Sequence, residues 1–581
     1  MAGEVSGVVL RIGVTGHRDP DPADLGTLRQ DITRLLLDLR QRLPGVELEL
    51  VSGMADGADR LAVDAALDAG LRVHALLPMP LSMYLHDFDA ASRADIQSRL
   101  ADPRIRHTEL ELPPHVDHEA ASVPGAVRDE LYAALAERLR RCTSILLALW
   151  DGEDTGLPGG TGDTVMRYLG LVIGDGPRAP GRVALDIAPV ATARAQRPVY
   201  RFPTGRTGSD RGSPGAAGYL GITEDDVVVP IGEQLPQAIA REFEEIVAYA
   251  REAAVRVDPA THRWGLMNDE IATLRPAAAA GLRALDEEYR RSDLLAIYHQ
   301  GRSERLFKVF SIMAAIMGLL FLVYAKLAAS QWLLAAYLLM FAGGMVLVGV
   351  AARSQWFTRH LMYRAIAETL RTRFFLTVAG VPARGLEQHL MRLLGIGRIE
   401  GFSWISYVVR GATPFAAGPT AQPAQCLEYV RATWIEDQHH YFERKAHALH
   451  EAGHRLEKIK HVILGGMVSA IVALLVFKAQ LADSLLFGLS LKTYVVFLLG
   501  LVPFWLGVWE LYQAKMATKE LGWQYRNQLY HLQHAARALR CADDPERAAA
   551  VLNDTAERML TDTYLWTVQR FHRDHEPPAA G

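Results

Sequence analysis

The sequence predicts an α/β domain built on a doubly wound parallel sheet, followed by an all-α membrane region with two transmembrane helix hairpins. Three observations predict it. Short apolar runs rich in β-branched residues recur in the first third of the chain, each ending in a small-residue loop. Four stretches without Asp, Glu, Lys or Arg lie in the second half. Basic residues crowd one side of those stretches, pair by pair.

The first run, Val8 to Val14, reads as a buried strand opening into Thr15, Gly16, His17 and Arg18. After DPDPAD, the leucines of LGTLRQDITRLLLDLRQRL fall at helical spacing. Then come a strand (Val46 to Val51), a Gly-bearing loop (Ser52 to Gly57), a helix (Ala58 to Ala69) and a strand (Leu71 to Leu77), a βαβ unit of a parallel sheet. The run Ser144 to Trp150 leads into DGEDTGLPGGTGDTV, again strand, Gly-rich loop and helix start. In a doubly wound sheet the carboxyl ends of the strands line one crevice, where ligands bind. Glycines let backbone amides approach a phosphate, and a helix N-terminus favours negative charge. Thr15, Ser52, Thr161 and Thr164 can donate hydroxyl hydrogen bonds, and Arg18 can pair with phosphate. The expected ligand is a phosphorylated nucleotide.

The four uncharged stretches run from Val309 to Ala325, Trp332 to Ala352, Val462 to Phe477 and Tyr494 to Trp509. Each approaches or reaches the roughly 17 to 25 apolar residues that cross a bilayer. Lys326 and Lys478 at the far ends can snorkel and extend a short span. Arg290, Arg291, Arg302, Arg305 and Lys308 precede the first pair, and Arg353, Arg359, Arg364, Arg371 and Arg373 follow it. Arg444, Lys445, Arg455, Lys458 and Lys460, then Lys515, Lys519 and Arg526, flank the second. The positive-inside rule therefore puts the N-terminus, middle segment and C-terminus in the cytosol, with only Lys326, Lys478 and Lys492 dissenting. The pairs share a basic helical lead-in, a short link and a polar helix running back, which predicts a duplicated module.

Small residues recur at four-residue spacing, as in Gly465, Ser469 and Ala473, or Ala314 and Gly318, a pattern that lets membrane helices approach. Pro503 is expected to kink the fourth span. The aromatic flanks Trp332, Trp356, Tyr494, Trp505 and Trp509 suit membrane interfaces. No ionisable residue lies deep in a span, which counts against a coupled transporter.

Lys+Arg 62 against Asp+Glu 66 gives a net charge of -4 and no basic field for nucleic acid, so no nucleic-acid partner is expected. Cys142, Cys426 and Cys541 are far apart and form no CxxC, so neither a disulfide frame nor a zinc site is expected. The N-terminus shows no secretory signal. His439, His440, His447, His450 and His454 lack an acidic or thiol ligand set of recognisable spacing, so a wet helix face is expected there and no metal.

VTGHR, SGMADGADRLA and LPGGTGDTV resemble the SLOG superfamily, a Rossmann-like group. It includes DNA-processing proteins, LOG-type phosphoribohydrolases and nucleotide-sensing bacterial defence proteins. The middle motif matches the SGxAxGxDxxA of the DNA-processing proteins at every fixed letter, and the resemblance covers about residues 8 to 205. The membrane half resembles, in architecture, the SLATT type, a two-transmembrane effector module. By this resemblance Gly16, Arg18, Ser52, Gly53, Gly57, Asp59, Gly159, Gly160, Thr161 and Gly162 form the pocket; Thr15, His17 and Thr164 join them as loop neighbours. Asp59 is expected to brace the loop, since a carboxylate repels a phosphate. LOG-type hydrolases carry PGGxGTxxE, whose Glu works on the N-glycosidic bond. Here Met166 takes that position and Asp163 stands where the family has Thr, which favours sensing over hydrolysis. Asp151 and Asp154 are the nearby acids.

The resemblance implies four segments: residues 1–255 as the nucleotide-binding domain, 256–379 as the first membrane module, 380–425 as a connector and 426–581 as the second module. It implies a multi-pass protein of the inner membrane with no resident cofactor, whose partners are a nucleotide messenger, the lipid bilayer and further copies of itself. A messenger-synthesising enzyme would act on it through the ligand. The expected function is a nucleotide-sensing effector of bacterial anti-phage defence that permeabilises the membrane. The alternatives are a membrane-tethered nucleotide N-glycosidase and a nucleotide-regulated channel.

Overall fold

A computed structural model describes residues 7–22, 24–113, 116, 118–123, 125–172, 179–190, 192–207, 214–257, 265–381, 402–415, 422–516, 518–542 and 544–575. Much of the expected connector, and part of the Gly/Ser-rich stretch between Arg201 and Gly218, lie outside the described residues. The chain forms two compact units, residues 1–292 with 366–428, and residues 293–365 with 429–581.

The first unit is α/β. Its nine strands are β1 (Val8–Gly16), β2 (Val46–Ser52), β3 (Arg72–Leu77), β4 (Ile105–Glu109), β5 (Ile145–Trp150), β6 (Arg182–Val183), β7 (Arg194–Pro203), β8 (Gly218–Ile222) and β9 (Val227–Gly232). They lie in the order β4-β3-β2-β1-β5-β7-β8-β9-β6. From β4 to β7 every neighbour is parallel, and helices such as Leu25–Arg42, Ala58–Asp68 and Ala126–Cys142 make the crossovers. The sheet is mixed, however, where a parallel one was expected: β8 runs antiparallel to both β7 and β9. The cause is local. β8 and β9 are joined by the turn Thr223–Asp226, closed by Thr223 N–H on Val227 O at 3.0 Å, and so short a connection permits only antiparallel pairing.

β5, ILLALW, is buried along its whole length, as a strand covered on both faces must be. Leu146, Ala148 and Trp150 pack with Val165, Met166 and Tyr168 of helix Thr161–Leu169 and with Val199 and Leu220. A second cluster joins Val51, Leu76, Leu135, Leu139 and Cys142 to Phe415, which arrives from beyond the second apolar helix. The short helix Ile405–Gly411 accompanies it along β1. A Cβ at Gly411 would sit 1.8 Å from Val9 O, so only glycine permits this approach. Arg11 fastens the segment, donating to Thr413 O at 2.5 Å and lying 4.0 Å from the Phe415 ring centroid.

Four helices are long and apolar enough to cross a membrane, within Pro276–Lys326, Gln331–Val378, Pro423–Val476 and Leu491–Arg540. Their large side chains face outward: Trp332 is 84% exposed and Leu475 77%. In water such a surface would drive association, so hydrocarbon is the solvent it suits. Inside the second unit the first and fourth helices pack closely. Trp505 Nε1 donates to Ala315 O at 3.0 Å, and a Cβ at Gly318 would meet the Phe504 ring at 1.9 Å. Gln355, at φ +48°, interrupts the second helix at the end of its apolar part, and Trp356 starts the polar helix that follows.

Candidate functional site

β2, β3 and β4 step away on one side of β1, and β5 returns on the other. The direction of winding therefore reverses between the carboxyl ends of β1 and β5, the place where open α/β sheets bind ligands. The loops after β1, β2 and β5 meet there.

The loops after β1 and β2 interlock through two glycines. A Cβ on Gly16 would lie 2.3 Å from Ala58 Cβ and 2.8 Å from Leu149 Cβ. Gly57 has φ +73°, and its Cβ would lie 2.5 Å from Arg18 O. Ala58 N–H donates to His17 O at 3.0 Å, which locks the start of helix Ala58–Asp68 to the end of β1. Between them, Met54 is fully buried in the left-handed region at φ +61°, a conformation that a side chain of this size rarely adopts. Ser52 Oγ accepts from Met54 N at 3.0 Å and so holds that turn. Asp59 Oδ2 accepts from Ala55 N at 3.3 Å and lies 3.1 Å from where a Gly53 Cβ would be. Burial pushes the Asp59 carboxyl up to about 6, against its loop hydrogen bonds and the positive charge of Arg18. Arg60 completes the brace through Asp56 (2.8 Å), Asp95 (3.1 Å) and Met54 O (3.3 Å).

Arg18 is exposed, and among the described residues no carboxylate lies within ion-pair distance of it. Its guanidinium stands 5.2 Å from the Tyr132 ring centroid and 5.9 Å from that of Phe88. Tyr84 stacks edge-on to Phe88 at 4.9 Å and donates to Gly53 O at 2.8 Å. Tyr132 donates to Asp87, which Arg128 also holds at 2.9 Å; burial pushes the Tyr132 phenol up to about 12. Tyr132 also supports the third loop. Gly159 has φ +72°, and its Cβ would meet the Tyr132 backbone at 2.8 Å. The sequence reading missed this aromatic wall, because Tyr84, Phe88 and Tyr132 come from two separate segments. The signal it offered was MPLSMYLHDFD directly after the β3 strand end, the fourth loop on the same sheet edge.

His17 is 5% exposed, and its Nε2 lies 3.1 Å from Asp151 N and 3.2 Å from Asp151 Oδ1. One nitrogen cannot accept and donate at once: bare, it accepts from the amide; protonated, it donates to the carboxylate. Either way His17 ties the end of β1 to the end of β5. Burial raises the Asp151 carboxyl, but the His17 hydrogen bond, the Glu153 amide and the charge of Arg206 outweigh it and hold it below the usual range.

In the third loop, Gly160 precedes the helix Thr161–Leu169, whose N-terminus points its first amides at the strand-end edge. A Cβ at Gly162 would meet Asp154 Cα at 2.8 Å, and Asp154 accepts from Gly156 N (3.0 Å) and Gly181 N (2.7 Å). Asp163, 1% exposed, accepts from Gly159 N at 2.9 Å and pairs with buried Arg167 at 2.8 Å. Met166 is fully buried in the core. Thr164 turns its hydroxyl back to Gly160 O at 2.9 Å, and Ser52 is fully buried. Of the four hydroxyls considered for ligand contact, Thr15 and Thr161 are the two that are half-buried at the edge.

A separate cavity lies at the opposite ends of the same strands, lined by Arg11, Glu49, Arg72, Arg106, Glu287 and Arg291 among others. Its arginines are held by carboxylates of the same lining, Arg11 and Arg106 on Glu49, Arg72 on Glu47 and Arg291 on Glu288. Among the described residues no group of three or more His, Cys, Asp or Glu is placed to hold a metal ion. On helix Asp437–Val476, His447 is exposed and lies 3.7 Å from Glu451. Comparison with family models, with curated proteins and with solved structures returned no match.

Proposed function

We propose that the chain is a nucleotide-sensing membrane effector: a phosphorylated nucleotide messenger binds the strand-end crevice of the first unit and triggers permeabilisation by the apolar helices. The observation that carries this reading is one chain holding both glycine-bearing loops that meet at a winding reversal and four outward-facing apolar helices. Arg18 supplies the charge for phosphate. Tyr132, half-buried beside it, is the aromatic side chain placed to meet a base, with Phe88 buried behind. Helix Thr161–Leu169 adds its amide-rich N-terminus. The absence of a carboxylate at Met166, and the internal engagement of Asp163, support sensing over N-glycoside hydrolysis.

In this reading the helices form two hairpins entering the inner membrane from the cytosolic side, with both termini in the cytosol. Copies of the chain assemble, since four spans are few for a solitary pore. The messenger binds one assembly state better than the other, because equal affinity would shift nothing. The resemblance of its motifs to SLOG domains and of its layout to SLATT modules supports a role in bacterial anti-phage defence, downstream of an enzyme that makes the messenger. The test is equilibrium binding of a panel of linear and cyclic nucleotides to the full chain in detergent, with Arg18→Ala as control. Saturable binding that Arg18→Ala weakens supports the proposal. No binding by any nucleotide, or binding indifferent to Arg18, sinks it.

A further inference from the structure

The link between the third and fourth apolar helices is a folded element. Helix Lys478–Asp483 leads into a two-stranded hairpin, β10 (Leu485–Leu486) and β11 (Leu489–Ser490), turned by Phe487 and Gly488. Both turn residues have positive φ, +48° and +83°. A two-residue turn of this kind favours Asn-Gly, and a phenylalanine there is a conformational outlier. That phenylalanine is 93% exposed, Leu485 73% and Leu486 47%. The hairpin is tied to the fourth helix: Tyr494 Oη donates to Leu486 O at 3.2 Å, and Leu491 N to Ser484 O at 2.8 Å. Three large apolar side chains are therefore held outward on a rigid tip.

The lengths of the neighbouring spans say what covers that tip. The apolar runs Val462 to Phe477 and Tyr494 to Trp509 each measure about 24 Å at a rise of 1.5 Å per residue. The hydrocarbon layer is about 30 Å thick. This pair falls short, and its link is apolar where the shortfall lies. The first pair is joined instead by the few residues between Lys326 and Gln331, and its second apolar run is longer. Lys478 and Lys492 flank the hairpin and can carry their charges outward to the headgroups while the tip stays in.

We infer that the Leu485–Leu489 hairpin is a lipid-seated wedge: Leu485, Leu486 and Phe487 sit at the acyl–headgroup boundary of the bilayer leaflet that the link faces. The wedge sets the depth of the short pair. The inference rests on the membrane reading of the four helices and is independent of the nucleotide site.

The experiment labels Leu485→Cys with a polarity-sensitive fluorophore in a Cys541→Ser background; Cys142 and Cys426 are buried. The full chain is reconstituted in phosphatidylcholine vesicles carrying doxyl lipids with shallow or deep quenchers, and aqueous iodide is added separately. Leu475→Cys, within the third span, is the control. The expected result is that shallow doxyl lipid quenches the label at 485 several-fold more than iodide does, and deep doxyl quenches the label at 475. Phe487→Asn, which keeps the preferred turn pair, should move the 485 label towards iodide. If iodide quenches 485 while lipid still quenches 475, the wedge is overturned and the spans stand. A 485 label shielded from both quenchers means that protein, such as a second copy, covers the tip, and this also overturns the wedge. Iodide quenching at 475 removes the membrane reading itself.

Discussion

In the strand-end loops of the first unit, a Cβ at Gly16 would sit 2.3 Å from Ala58, whereas Gly465 and Gly466 in the third apolar helix have nothing within 4 Å of theirs. The surrounding side chains differ in the same sense. Leu146, Leu147 and Leu149 of β5 are fully buried, while Val462, Leu464 and Val468 beside those helical glycines are all more than half exposed. Glycine in the strand-end loops lets two backbones and a helix start cross at one point. Glycine in the span leaves an open strip for lipid or for a second copy. Within the spans the use differs again by place: Gly465 and Gly466 leave a face vacant, whereas Gly318 in the first apolar helix admits the Phe504 ring of the fourth.

The comparison can be broken in several ways. The largest expected effect comes from Asp163→Ala, which takes the paired carboxylate from the buried Arg167 guanidinium; removing one partner of a buried pair costs about 3 to 5 kcal/mol. Denaturant unfolding followed by a probe in the first unit measures it. A loss below 1 kcal/mol would show that Asp163 is not structural and would reopen the hydrolase reading. Gly16→Ala should cost about 3 kcal/mol through overpacking. Gly465→Ala, with open space around it, should change stability by less than about 0.5 kcal/mol, its effect appearing instead in oligomeric state. Equal losses at the two glycines would erase the distinction.

A pH series sharpens the electrostatic side. The folded Asp59 carboxyl, at about 6, lies above the usual value of about 3.9, so the folded chain holds this proton to higher pH than the unfolded one. Its contribution is complete below about pH 4 and is lost as pH rises through 6, an effect of about 3 kcal/mol. Asp59→Asn should flatten that slope, its stability relative to the natural chain rising between pH 4 and 7. An unchanged slope would mean Asp59 is ionised throughout. Arg18→Ala should weaken nucleotide binding roughly tenfold, about 1.4 kcal/mol, and leave unfolding within about 0.5 kcal/mol, since the side chain is exposed.

Much of the parallel half of the fold was legible because buried strands carry continuous apolar runs. Val8 to Val14 became Val8–Gly16, and Ser144 to Trp150 became Ile145–Trp150. β4 escaped because IRHTE is a charged edge strand with no apolar run. β8 and β9 escaped because direction depends on the turn between them, which hydropathy does not report. The strand-end glycines were visible as letters. What they do, packing Gly16 on Ala58 and Gly159 on Tyr132, depends on segments far apart in the chain. Phe415 completing the first unit's core was invisible for the same reason.

The central claim, that a nucleotide in the crevice controls the membrane helices, is tested most directly by dye leakage from liposomes carrying the full chain, titrated with linear and cyclic nucleotides. Leakage triggered by one nucleotide, and abolished by both Arg18→Ala and Gly160→Asp, is the predicted result. No leakage with a nucleotide that demonstrably binds, or leakage that both substitutions leave intact, would contradict it.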